Sequence, residues 1–254
     1  MDDAEAARVI PLAVASGYRL FDTAENYRNE RGVGAGLKAC GAPREELFLT
    51  TKFNVCWHGR DLVGEAFRAS AERLGVEYVD LLLVHWPNPG RDRYVDAWRG
   101  LIDLLEDGSV RAIGVSNFKP AHLERLRVET GVLPDVNQIQ LSPASSRPQA
   151  RAYHAEHGIL TQSWSPLGGE RDRGLLADPV IVGISRRSGH TPAQIVLRWH
   201  VQLGLGAIPK TSDPGRLAEN LDVFDWVLSE EDLAALSTLD KGETAVVDSD
   251  TFGH

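Results

Sequence analysis

The chain is 254 residues long, 43% hydrophobic and 25% charged, which excludes a disordered tail and leaves enough apolar material for a full-sized core. With 36 acidic against 27 basic residues the formal net charge is −9, which argues against nucleic acid as a partner, because phosphate contacts demand an excess of Lys and Arg on one face. Cys40 and Cys56 are too few for a disulfide scaffold, and no apolar run approaches the roughly 18 residues of a membrane span. The acidic start Met1-Asp2-Asp3-Ala4-Glu5 lacks the basic and apolar regions of a secretory signal, so the expectation is a soluble cytoplasmic protein with no membrane partner. In chain order, short apolar and often β-branched runs predict strands at Leu20-Phe21, Leu47–Thr51, Val79–Val84, Ala112–Val115, Val136–Leu141, Ile159–Trp164 and Ala207–Ile208. Each is followed by a stretch of helical periodicity, and the spacing of about 25 to 35 residues between the first six is that of one strand plus one covering helix. Helix starts are marked by Thr191-Pro192-Ala193-Gln194, a variant capping box, and by Asp213-Pro214 and Ser229-Glu230-Glu231-Asp232. No linker or composition shift divides the chain, so residues 1–254 read as a single domain. Two α/β folds use this alternation, an open doubly wound sheet and a closed (β/α)8 TIM barrel of about 250 residues, and the length favours the barrel.

Several motifs carry less than they offer. Gly34-Ala35-Gly36-Leu37-Lys38-Ala39 fits a dinucleotide fingerprint, but that motif needs a strand running straight into the glycine turn, and here polar Glu25–Arg31 precedes it. The expected role of these small residues is close helix packing. The 8 histidines form neither a His-x-His pair nor a His-Glu-x-x-His helix, and His154 and His157 fall on a polar helix where exposure is expected, so no metal site is expected. There is no Gly-x-Ser-x-Gly elbow and neither cysteine has a basic cluster beside it, which leaves Cys56 an incidental thiol.

In a barrel the C-terminal ends of the strands converge on one mouth. The first strand is expected to end in Asp22-Thr23-Ala24 with Tyr27 soon after, the second in Lys52 and the third in His85-Trp86. A phenol with a pKa of about 10 is a poor acid near neutrality, and a neighbouring ammonium stabilises the phenolate. Asp22 would hold Lys52 in place and charged, and a neutral His85 would hydrogen-bond a substrate oxygen. Taken singly, each has an ordinary structural explanation: a rim ion pair, a packing aromatic, a core histidine.

The run Gly17-Tyr18-Arg19-Leu20-Phe21-Asp22-Thr23-Ala24-Glu25-Asn26-Tyr27-Arg28-Asn29-Glu30 closely resembles the signature of the aldo-keto reductases. So do Thr51-Lys52, His85-Trp86-Pro87, Gly114-Val115-Ser116-Asn117-Phe118, Val136-Asn137-Gln138 and Ile208-Pro209-Lys210-Thr211, in the same order. Trp164-Ser165-Pro166-Leu167 and the segment Asn88–Tyr94 look like the bacterial 2,5-diketo-D-gluconate reductase branch. The resemblance implies an NADPH-dependent oxidoreductase that reduces an aldehyde or ketone to an alcohol by hydride transfer. Tyr27 would be the general acid, assisted by Lys52, which Asp22 positions, with His85 orienting the carbonyl. Ser116, Asn117 and Gln138 match the positions that hold the nicotinamide carboxamide, Trp164 the aromatic stacked on the ring, and Ser165, Pro166 and Leu167 the pyrophosphate segment. Lys210, Thr211, Ser212, Arg216, Glu219 and Asn220 match the adenosine site, where two cations suit a 2′-phosphate and hence NADPH over NADH. The implied partner is a small-molecule carbonyl compound, and the implied state a monomer.

Two departures from the family pattern stand out. Ser142-Pro143 replaces a common His-Pro pair. Relatives also place a β-hairpin and a first barrel strand ending in Gly-Thr ahead of helix one, whereas this chain opens in helix one at residues 1–16, so only seven of the eight barrel strands are expected. The alternative is therefore a non-catalytic NADPH-binding barrel or a truncated inactive one. Trp57, Trp86 and the C-terminal tail, residues 242–254, are expected to shape an apolar substrate pocket near the barrel mouth.

Overall fold

The computed structural model describes residues 1–169 and 172–254. Its strands are β1 (Leu20–Asp22), β2 (Phe48–Phe53), β3 (Val79–Val84), β4 (Val110–Ser116), β5 (Val136–Gln140), β6 (Leu160–Trp164) and β7 (Gly206–Ile208). They form one 7-stranded sheet in chain order. A doubly wound sheet reverses its order at a switch point. This order never reverses, so the fold is the α/β barrel with seven strands. The helices among the described residues are α1 (Asp3–Ala15), α2 (Glu30–Ala39), α3 (Arg60–Leu74), α4 (Tyr94–Glu106), α5 (Pro120–Thr130), α6 (Pro148–Glu156), α7 (Pro179–Ser188), α8 (Pro192–Gln202), α9 (Pro214–Leu221) and α10 (Glu230–Ser237). None of them is long and apolar enough to cross a membrane.

Two compact units make up the chain, one of Met1–Asn137 with Ser249–His254, the other of Gln138–Asp248. In the first, β1 to β4 pair in parallel, with Asp22 opposite Thr50 and Lys52 opposite Leu83. Strand β2 continues past its expected end to Phe53, so Lys52 lies within the strand. Both faces of β3 are buried, which explains its unbroken apolar run Leu81-Leu82-Leu83-Val84. At the start of the strands, Asp80 is buried and accepts from the Leu49 amide at 2.9 Å, Arg44 at 2.7 Å and Arg111 at 2.9 Å. Buried Glu30 is likewise satisfied, by the Thr51 hydroxyl and Arg73, each at 2.6 Å. A buried carboxylate is tolerated when paired and hydrogen-bonded in this way.

The glycines rejected as a dinucleotide motif lie in α2 and do bring helices together. A Cβ on Gly36 would lie 2.8 Å from Ile10 Cβ of α1, and one on Gly34 would lie 2.0 Å from the Leu74 carbonyl oxygen at the end of α3. Backbone cannot move aside as a flexible side chain can. Gly34→Ala is therefore expected to destabilise the protein by at least about 1–3 kcal/mol, read as a lower urea midpoint at unchanged slope.

In the second unit β6 and β7 pair in parallel with Trp164 opposite Ile208. Ile139, Leu141, Ile181, Ile195, Val196 and Trp199 are central to its core. The three marked helix starts all cap: Thr191 and Ser229 form capping boxes with Gln194 and Asp232, and Asp213 accepts from the Arg216 amide. His154 corrects the expectation of an exposed polar helix. It is fully buried, its Nδ1 lies 2.8 Å from Thr161 Oγ1, and burial, then Arg147, push its pKa down to about 4. His157 is half-buried and stacks on Tyr153 with ring centres 4.1 Å apart.

Candidate active site

In the first unit, the parallel register sets Asp22 at the end of β1 beside β2, and Lys52 one residue short of the end of β2. His85 follows β3 directly, and its amide donates to the Phe53 carbonyl at 3.1 Å. Tyr27 closes a single 3-10 turn, Glu25–Tyr27, ended by Arg28 in the left-handed conformation at φ 54°. The four expected residues thus come together from three strand ends and one turn.

Lys52 is the centre of the group. Its side chain is 0% exposed, and its Nζ donates to Asp22 Oδ1 at 2.5 Å and to the Thr23 carbonyl at 2.9 Å. The same Nζ is 5.1 Å from the centre of the Tyr27 ring. Burial alone would push the ammonium's pKa down, but the Asp22 carboxylate and the Tyr27 phenol outweigh it and raise the pKa. Tyr27 itself is 45% exposed, so the group it presents is open to a ligand.

His85 is its electrostatic opposite. Burial, then Lys52, then His254 hold its pKa well below the ordinary histidine value, so the ring is neutral throughout the physiological range. The ring meets Tyr27 edge-on at 5.8 Å between centres, and its Nδ1 is buried with no hydrogen-bond partner among the described residues. Asn117, in the left-handed conformation at φ 65° just after β4, donates from Nδ2 to the His85 carbonyl at 3.1 Å and to Ser116 Oγ at 3.0 Å. The expected pair Ser116-Asn117 is therefore brought against the backbone of His85.

Around these groups lies a largely aromatic wall. Trp86 is buried with Nε1 unpartnered, and Phe252 packs on it with centres 4.9 Å apart. His254 meets His85 edge-on at 5.0 Å, its carbonyl accepts from the Val55 amide at 3.1 Å, and its Nε2 contacts the Asn26 amide. Asp250 anchors this end of the tail through Lys119 at 2.6 Å and His122 at 3.0 Å. The sequence marks the tail only as a whole, and the parts played by Phe252, His254 and Asp250 are not legible in it. Glu25 also goes unmarked there, although its Oε1 accepts from Trp57 Nε1 at 2.9 Å and its Oε2 from the Asn54 amide at 3.2 Å. Its position inside the signature run is the available signal.

The remaining candidates belong to the second unit. Gln138 is buried and donates to Gln162 Oε1 at 3.1 Å. Trp164 ends β6 half-buried, Ser165 follows at φ 51°, Pro166 is buried and Leu167 packs on the core. Beyond β7, Lys210 is exposed, as is Arg216, while Thr211 and Ser212 are half-buried. Glu219 accepts from the Thr191 hydroxyl at 2.7 Å, and Asn220 is buried. Because Trp164 is opposite Ile208, the Trp164–Leu167 and Lys210–Ser212 segments leave the sheet at the same end. Ser142, at the departure from the family's His-Pro pair, forms an isolated bridge with Ser145 and lines a cavity of about 310 Å³ together with Ser165, Gly168 and Gly169.

Comparison with known proteins identifies the family to which the chain belongs. The model of the Aldo/keto reductase family matches residues 1–241. The chain is 46% identical over 249 residues to methylglyoxal reductase DkgA of Escherichia coli O157:H7, covering 98% of this chain and 90% of that protein. It is 47% identical over 250 residues to 2,5-diketo-D-gluconic acid reductase B of Corynebacterium sp. (strain SHS752001), covering 98% and 89%. Among solved structures, a point mutant of Gox0644 in complex with NADPH superposes with a TM-score of 0.93 at 43% identity, covering 99% of this chain and 91% of that one. A Bombyx mori aldo-keto reductase in complex with NADP gives 0.90 at 33% identity, covering 98% and 87%. Matches of this extent and identity establish that the chain belongs to the aldo/keto reductase family.

Proposed function

We propose that the chain is an NADPH-dependent reductase that converts an aldehyde or ketone to an alcohol, with Tyr27 as the general acid. The observation that carries this reading is the buried Lys52, held by Asp22 at 2.5 Å and set against the Tyr27 ring, beside a histidine kept neutral by burial.

NADPH suits the residues present. The cavity of about 310 Å³ in the second unit has serine hydroxyls and glycine backbone on its walls, the donors and close approach that phosphate oxygens need. Ser116, Asn117 and Gln138 are assigned to the nicotinamide carboxamide, Trp164 to its ring, Ser165, Pro166 and Leu167 to the pyrophosphate, and Lys210, Thr211, Ser212, Arg216, Glu219 and Asn220 to the adenosine end. Exposed Lys210 and Arg216 supply two cations for a 2′-phosphate. The NADPH and NADP complexes of similar chains support the same choice. When bound, the nicotinamide supplies the hydride.

What this chain contributes is a proton and a fixed direction. As the carbonyl carbon is reduced, negative charge gathers on its oxygen, and donors aimed there bind the transition state more strongly than the ground state. Tyr27 donates its hydroxyl proton to that oxygen. Lys52 stabilises the phenolate left behind, and Asp22 keeps the ammonium in position. Neutral His85 orients the carbonyl by a hydrogen bond without competing as the acid. The family match runs unbroken through residues 1–241, which supports one functional barrel domain. All four catalytic residues lie in the first unit, so a single copy of the chain suffices for the chemistry. The aromatic wall of Trp86 and Phe252 suits small carbonyl compounds with an apolar face, while the Trp86 Nε1, unpartnered among the described residues, offers a donor to a polar end. Mixing the full chain with NADPH and a panel of small aldehydes and sugar-derived ketones tests the reading. Cofactor oxidation with at least one carbonyl compound is expected, and a well-folded protein that turns over none of them would refute it.

A further inference from the structure

The cavity in the second unit contains a charge pair that the proposed mechanism does not use. Among its described lining residues Lys241 is the cation and Asp172 the anion, and they are joined by one contact, Nζ to Oδ1 at 2.9 Å. The lysine side chain is 63% exposed, and Asp172 Oδ2 is buried with no hydrogen-bond partner among the described residues. A carboxylate accepts several donors when it is a settled structural bridge. Among the described residues this one makes a single side-chain bond, to a solvent-facing ammonium, an arrangement that contributes little and exchanges readily.

The backbone at Lys241 is fixed, in contrast to its side chain. Its amide donates to the Ala144 carbonyl at 2.9 Å, and the neighbouring Asp240 accepts from the Ser146 hydroxyl at 2.6 Å and the Gly242 amide at 2.9 Å. A tethered lysine with a solvent-facing head therefore stands at the rim of a cavity walled by Ser142, Ser145 and Ser165. Beside it the chain is bent by Ser165 at φ 51° and Gly168 at φ 92°. A Cβ on Gly169 would lie 2.8 Å from Ser165 Oγ, so the absence of a side chain keeps this wall close to the serine hydroxyl.

We propose that Lys241 is a binding residue for the pyrophosphate of the dinucleotide, and that Asp172 holds its ammonium only until that anion arrives. The inference rests on the cofactor reading above and adds to it a cation for the pyrophosphate, which Ser165, Pro166 and Leu167 lack. A compact ammonium binds phosphate oxygens as a point charge, and a dianion competes well against one carboxylate oxygen. Asp172, in the same wall, opposes the anion.

The charges give the two residues opposite signs in one experiment. Calorimetric titration of the full chain with NADPH and, separately, with inorganic pyrophosphate would be compared for the wild type, Lys241→Met and Asp172→Asn, with thermal melts confirming that each variant is folded. Lys241→Met is expected to weaken both ligands by about tenfold, in line with the loss of one charge-assisted contact, and to leave adenosine 2′-monophosphate unaffected. Asp172→Asn is expected to tighten both. If Asp172→Asn weakens them as much as Lys241→Met does, the pair is a structural tie and the proposal fails. It fails equally if Lys241→Met binds both like the wild type, or if the wild type binds neither. Pyrophosphate binding that depends on Lys241 without any NADPH binding would uphold the lysine as an anion ligand and overturn the cofactor reading instead.

Discussion

Tyr27→Phe is expected to retain NADPH affinity and to lose turnover by about 10² to 10⁴, the usual contribution of a positioned general acid. The substitution keeps the ring, and with it the edge-on contact with His85 at 5.8 Å and the position over Lys52, while removing the proton to be donated. No neighbouring group replaces it. Burial keeps His85 neutral, and the raised pKa of Lys52 keeps its proton on the amine. Turnover by the variant close to that of the wild type, measured at saturating cofactor and carbonyl substrate, would place the acid elsewhere.

A second variant separates structure from chemistry at the same site. Lys52→Met leaves the Asp22 carboxylate without its ammonium in a buried setting, and breaking such a pair typically costs about 3–5 kcal/mol of stability. The expected result is a protein with a markedly lower denaturation midpoint and no measurable reduction. Adding Asp22→Asn removes the uncompensated charge, so the double variant should recover much of the stability and none of the turnover. Recovery of turnover with stability would mean that Lys52 is a structural residue only. That would undo the proposed role of the ammonium beside Tyr27.

The site is legible in the sequence where chemistry and strand ends coincide. Asp22, Lys52 and His85 are polar residues at the end of apolar runs, and the structure brings them together through the parallel pairing of β1, β2 and β3. Tyr27 needs only its position soon after the first run. The seven strands follow from alternation, and their order from the barrel that the length favours, though the boundaries differ by a residue or two because a strand's ends are set by its partners' lengths. His154 is misread from sequence because its environment is non-local: Thr161 and Arg147 come from outside its helix, and neither can be inferred from a polar stretch. Lys241 and Asp172 are invisible for the same reason, being 69 residues apart in regions with no motif. Helix periodicity reports which faces are apolar, whereas partners across such distances depend on how the backbone returns.

The Gly34 and Gly36 segment shows how a motif can mislead when read without its setting. The glycines are required, but by Leu74, Ile10 and Ala6 of neighbouring helices rather than by a phosphate. A fingerprint glycine and a packing glycine meet the same steric demand, so the element on which they lie is what distinguishes them.

Following the transferred hydrogen tests carbonyl reduction and the role of Tyr27 together. NADPH carrying deuterium at the reactive carbon of the nicotinamide would be incubated with the full chain and a carbonyl compound that it consumes, and the alcohol analysed by mass spectrometry and NMR. One deuterium is expected on the new carbinol carbon, with labelled alcohol formed about 10² to 10⁴ times more slowly when Tyr27→Phe replaces the wild type under the same conditions. Cofactor oxidation without label in the product, or labelled product formed equally well by the variant, would contradict the assignment.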